Sequence, residues 1–117
     1  MKQPDEQEFK ELISAFHLTW DKFPGPARLI DKGNHVLAVN QLAEEAGLTT
    51  GQICAEAGSL ESHKGCKKML ALSTQKAQID RPIEKKIRAW LPIENYPDLV
   101  VHFSISLPEW KQDGIEQ

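Results

Sequence analysis

The stretch ARLIDKGNHVLAVNQLAEEAGL, residues 27–48, decides the fold. Ala27-Arg28-Leu29-Ile30-Asp31 and His35-Val36-Leu37-Ala38-Val39 are two short aliphatic runs, and Lys32-Gly33-Asn34 between them is a tight-turn signal. They read as two antiparallel strands. Asn40 follows without a linker, and Asn40 to Ala46 reads as a short helix closed by Gly47 in a left-handed conformation. The Asn40 side chain suits the N-cap, where its oxygen accepts from a backbone N–H two or three residues on. That task is structural and needs no ligand.

Working upstream, Pro24-Gly25-Pro26 stops any helix and acts as a hinge. Before it, residues 5–20 read as an amphipathic helix, with Phe9, Leu12, Ile13, Phe16 and Trp20 on one stripe. Asp5 followed three positions later by Glu8 resembles a capping box, and the acidic first turn suits the helix dipole. Working downstream, Thr49-Thr50-Gly51 restarts the chain, and a loose polar stretch runs from Cys54 to Gly65. Cys66 to Gln75 is helical, with Met69, Leu70 and Leu72 apolar. Lys76 to Arg81 reads as a short strand ended by Pro82.

Two long alternating segments close the chain. Ile83 to Ile93 puts Ile83, Ile87, Ala89, Leu91 and Ile93 on one face. Leu99 to Leu107 does the same with Val101, Phe103, Ile105 and Leu107, and Asn95-Tyr96-Pro97-Asp98 turns between them. A hairpin in this register sets Trp90 opposite His102 on the other face. Helices do not alternate with strands, so a parallel sheet is disfavoured. An antiparallel sheet with helices gathered on one side fits the order, which makes the fold class α+β.

Composition narrows the function. The chain has 117 residues, room for one domain that buries roughly two-thirds of its extended-chain surface. Net charge is −3, and the 14 Lys and Arg are scattered, so the basic footprint of a nucleic-acid binder is missing. No apolar run approaches the ~20 residues of a membrane span, and residues 1–6 do not open a secretion signal. The expected location is the cytoplasm, with both cysteines reduced.

The pieces Ile30-Asp31-Lys32-Gly33-Asn34-His35-Val36-Leu37, Val39-Asn40 leading into Leu42-Ala43-Glu44-Glu45-Ala46-Gly47-Leu48, Gly51 before Cys54, His63-Lys64-Gly65-Cys66 and the closing hairpin with Leu91-Pro92-Ile93 together resemble the PAS domain family. The resemblance covers about residues 20–108. It implies a five-stranded antiparallel sheet with short helices over one face, and a core that is solid in some members and a ligand pocket in others. It implies sensing or dimerisation rather than catalysis. The expected organisation is an N-terminal amphipathic helix at 1–21, a PAS-like core at 22–108 and a C-terminal tail at 109–117.

Cys54, His63 and Cys66, spaced Cys-x8-His-x2-Cys, carry the side chains that ligate zinc and iron. A closed tetrahedral site needs a fourth ligand, which Glu56, Glu61 or His35 would supply only by folding close. The bland reading is a buried Cys54, an exposed His63 and a helix-starting Cys66. A thiol redox pair is a further reading. The PAS resemblance adds haem: His63 is similar to the position of an axial histidine, and Arg81 would then face a bound diatomic ligand. Cys66 stands where an aromatic residue is common, and haem also needs an apolar pocket. A flavin photosensor is disfavoured, because Ala55-Glu56-Ala57-Gly58 departs from that motif.

Trp90 and His102, with Arg88 nearby, are expected on the sheet face away from the short helices. The stripe Phe9, Leu12, Ile13, Phe16 and Trp20 would cover that face, in its own chain or across a two-fold axis. No serine triad, phosphate loop or desolvated carboxylate pair points to catalysis. The expected protein is a stand-alone sensory or signal-transduction module acting through a homodimer or another protein. It holds no cofactor, or else haem or a metal ion. The alternative is a ligand-free interaction module.

Overall fold

The computed structural model describes residues 4–51 and 66–107. Helix α1 spans Glu6–Trp20, followed by β1 (Ala27–Asp31), β2 (Val36–Val39), α2 (Gln41–Glu45), α3 (Lys68–Thr74), β3 (Gln78–Ile83), β4 (Lys86–Ile93) and β5 (Tyr96–Ser106). The five strands form one sheet in the order β2-β1-β5-β4-β3, and each pair of neighbours is antiparallel. Closing β1 against β5 brings the first hairpin beside the last strand, so the sheet depends on contacts distant in sequence.

The start of α1 is a full capping box. Asp5 Oδ1 accepts from the Glu8 N–H at 2.8 Å, and Glu8 Oε1 accepts from the Asp5 N–H at 3.2 Å. In the hinge, a Cβ on Gly25 would lie 2.0 Å from the Ser104 carbonyl oxygen, so no larger residue fits this close approach to β5. The β1–β2 turn uses Asn34 at φ 70°, and Leu37 is the extra residue of a bulge in β2. Lys68, 3% exposed, fastens α3 to that turn. Its Nζ donates to Lys32 O at 2.7 Å and also reaches Asn34 Oδ1.

The alternating segment 83–93 is not one strand. Glu84 and Lys85 form a two-residue turn closed by the Ile83↔Lys86 pair, and Pro82 lies within β3. Proline is tolerated there because β3 is an edge strand with one side free of ladder bonds. The second turn is likewise shorter than the sequence indicates. Asn95 supplies φ 70°, Tyr96 pairs with Ile93, and Tyr96 already opens β5.

Strand alternation divides the core into two layers. Phe16, Ala27, Leu29, Ala38, Leu99 and Val101 are buried on the outer face, with Leu12, Ile13, Trp20 and Phe103 packed around them. Ile30, Val36, Val39, Ala43, Ala71, Leu72, Trp90 and Val100 are buried on the inner face, beneath α2 and α3. Helix α1 therefore covers the outer face of its own chain's sheet. No helix among the described residues is long and apolar enough to cross a membrane.

Candidate functional site

The inner face carries polar groups at positions where a purely structural core would be apolar. Register alone assembles them. Arg28 on β1 pairs with His102 on β5, and His102 pairs with Trp90 on β4. One step along, Ser104 pairs with Arg88, which pairs with Asp80 on β3. All have the parity of Ile30 and Val100, so they share the face beneath the short helices.

Trp90 is fully buried, and its ring stacks on the His102 ring with centroids 4.7 Å apart and planes 6° from parallel. His102 Nδ1 lies 2.8 Å from Ala89 O. A carbonyl only accepts, so Nδ1 carries the proton and donates, leaving Nε2 as an acceptor in the neutral ring. Burial first, then the Arg28 charge, holds the His102 pKa down to about 3 from its ordinary 6.5, against the opposing Ala89 hydrogen bond. The ring is therefore neutral across the physiological range.

The two arginines of this face differ. Arg88 is held bidentately, Nε to Asp80 Oδ1 at 2.9 Å and Nη2 to Asp80 Oδ2 at 2.7 Å, with its guanidinium carbon 5.2 Å from the Trp90 ring centroid. Arg28 is half-buried, and its Nε is buried with no acceptor among the described residues. Trp90 Nε1 is a second buried donor without an acceptor. Such groups are costly to bury unpaired, at about 1–3 kcal/mol each.

Asn40 joins this layer to α1. It is 1% exposed and uses all of its amide. Its Oδ1 accepts from Ala43 N–H as the cap of α2 and from Ala27 N–H, both at 2.9 Å. Its Nδ2 donates to Trp20 O and Gly25 O, again at 2.9 Å. One side chain thus ties the end of α1, the hinge, β1 and α2. Beside it lies a shallow polar depression of about 350 Å³ lined by His17, Asp21, Lys22, Gln41 and Glu44. His17 Nδ1 is 2.8 Å from Asp21 Oδ1 there.

The residues singled out from sequence do not converge. Cys54 and His63 lie outside the described residues. Cys66 is an exposed free thiol just before α3. Arg81 is exposed on β3, and its Nε donates to Glu84 O at 2.8 Å across the β3–β4 turn. Among the described residues, no cluster of three or more His, Cys, Asp or Glu could hold a metal ion.

Trp90 and His102 require a correction. They do stand opposite one another, but under α2 and α3 rather than under α1. The physical reason is apolar area. The amphipathic stripe of α1 takes the more uniformly apolar face, with Phe16 5% exposed, Leu12, Ile13 and Trp20 partly buried and Phe9 36% exposed at the rim. Sequence reasoning also missed Arg28 and Asp80. The available signal was parity, since Arg28 shares a face with Ile30 in a strand whose apolar residues fall on both sides.

No family model matches the sequence, and no curated protein does. Solved structures do match. A sensory box sensor histidine kinase from Vibrio cholerae superposes with a TM-score of 0.61 at 15% identity, over 85% of this chain and 89% of that one. The PAS domain of BvgS from Bordetella pertussis gives a TM-score of 0.48 at 14% identity, over 86% of each chain. The fold is PAS-like: a five-stranded antiparallel sheet with short helices on one face.

Proposed function

We propose that this PAS-like chain is a sensory or signal-transduction module that takes a small ligand between the inner sheet face and the short helices, and signals through protein–protein contacts. The observation that supports this most is the inner face itself. A layer built only to be filled would not leave the Arg28 Nε and Trp90 Nε1 donors buried and without an acceptor among the described residues. Occupancy would act as a population shift, favouring one packing of α2 against the sheet. Asn40 gives that shift a route to α1, because the same amide bonds Ala43 N–H and Trp20 O.

The test uses the purified chain. Molecules released on denaturation are identified by mass spectrometry, with elemental analysis and an absorbance scan above 300 nm for haem or metal. Any ligand found is added back while melting temperature and amide exchange of α1 are followed. The expected result is a higher melting temperature with altered protection in α1. A chain that carries nothing, with melting and α1 exchange indifferent to every molecule tried, would count against the reading.

A ligand-free interaction module is the second reading. It is favoured by Ile79 and Ile83 on the edge strand β3, 65% and 64% exposed. A stable homodimer in solution, with these residues protected and no ligand effect, would decide for it.

A further inference from the structure

We propose that Arg28 and Trp90 form the anion-holding end of the ligand site, and that the ligand is a small organic monocarboxylate with an apolar body. The inference rests on the ligand-binding reading above and names its chemistry. Both unpaired groups are donors, so their missing partner is an acceptor. They flank His102 in one register row across β1, β5 and β4, with about 10 Å between the outer Cα positions, two strand spacings.

Charge selects among acceptors. Asp80 already neutralises Arg88 on this face, whereas the Arg28 guanidinium has no ion pair, and its Nε no acceptor, among the described residues. A half-buried guanidinium with no counter-ion attracts one, and a carboxylate matches its planar fork. One guanidinium and one indole N–H match a single negative charge. A phosphate dianion would call for further donors or a helix N-terminus, and α2 is only five residues long and already donates its Ala43 N–H to Asn40. His102 suits the same ligand. Its neutral ring adds no second charge, and its Nε2 can accept from a hydroxyl on the ligand body. The apolar body has Val39, which pairs with Arg28 across β1–β2, and Leu72 of the same buried cluster to pack against.

The experiment follows the side-chain N–H resonances of Trp90 and Arg28, assigned with Trp90→Phe and Arg28→Lys. The isotope-labelled chain is titrated with straight-chain monocarboxylates from acetate to octanoate and with benzoate. The matching neutral amides and sodium chloride serve as controls. At least one carboxylate is expected to shift both resonances saturably, with its amide binding at least tenfold more weakly. Arg28→Met should remove that tenfold preference, and Arg28→Lys should retain part of it. Should the amide bind as tightly as the acid, or should Arg28→Met keep the preference, the carboxylate assignment is overturned while a ligand site remains. Should no compound move either resonance, the donors take no carboxylate and the assignment is likewise overturned. The mass-spectrometric search then decides the broader reading by itself.

Discussion

The two faces of one sheet contrast sharply in how they are satisfied. On the outer face, Ala27, Leu29, Leu99 and Val101 meet Phe16 and its neighbours from α1, and Trp20, Phe23 and Phe103 pack ring to ring with centroids 4.8–5.5 Å apart. That face is apolar throughout its buried centre. On the inner face, the same strands present Arg28, His102, Trp90 and Arg88, and two buried donors find no acceptor among the described residues. The difference teaches that one sheet can divide its labour by parity: alternate residues build an apolar layer on one side and a polar, partly unsatisfied one on the other.

The largest effect expected is also the most direct way to break that contrast. Leu29 and Arg28 are neighbours on β1 facing opposite layers. Leu29→Ala empties a site 2% exposed and should cost about 3 kcal/mol in urea unfolding. Arg28→Met keeps most of the packing stem and discards an unpaired half-buried charge, so it should change stability by less than about 1 kcal/mol, in either direction. Equal losses at the two positions would mean that Arg28 is structural, and the division by parity would fall.

The neighbouring positions show how much of this was legible. The capping box at Asp5 and Glu8, the Asn40 cap, and the Trp90↔His102 register all follow from local spacing and alternation, which are short-range properties of the chain. Which layer covers which face is not short-range. Period-two patterning says that Ala89, Leu91 and Phe103 share a side, and it is silent on whether α1 or α2 lies above them. The two-residue turns at Glu84-Lys85 and Glu94-Asn95 were hidden because isoleucine and tyrosine continue the alternation up to the turn itself. Among the site residues, Arg28 and Asp80 look like surface charges until pairing across three strands brings them inward.

A somewhat smaller effect sharpens the contrast through pH. The His102 pKa is held to about 3 in the folded chain, below its ordinary 6.5, so the unfolded chain binds more protons between those values. The stability this neutral ring confers is fully present above pH 6.5 and is lost as the pH falls towards 3. By pH 5 the loss should be about 2 kcal/mol relative to pH 7. His102→Gln should flatten that part of the profile, whereas Leu29→Ala should shift the whole curve and leave its slope unchanged. Parallel slopes in the native chain and His102→Gln would show that the inner face is already hydrated and that burial does not control this ring.

The smallest effect concerns a polar tie that the outer layer makes to the first turn of α1. Tyr96 Oη donates to Glu8 Oε2 at 2.8 Å, while Oε1 of the same carboxylate accepts from the Asp5 N–H of the capping box. Tyr96→Phe keeps the ring against the outer layer and leaves the cap intact while removing this tether. A part-buried hydrogen bond of this kind contributes about 1 kcal/mol. Amide exchange should therefore rise in the first turns of α1, with the sheet amides unchanged. Apolar contact from Leu12, Ile13, Phe16 and Trp20 should still hold the helix down. If α1 instead detached along its whole length, polar contacts rather than packing would govern the outer face. The two sides of the sheet would then be held by the same kind of force.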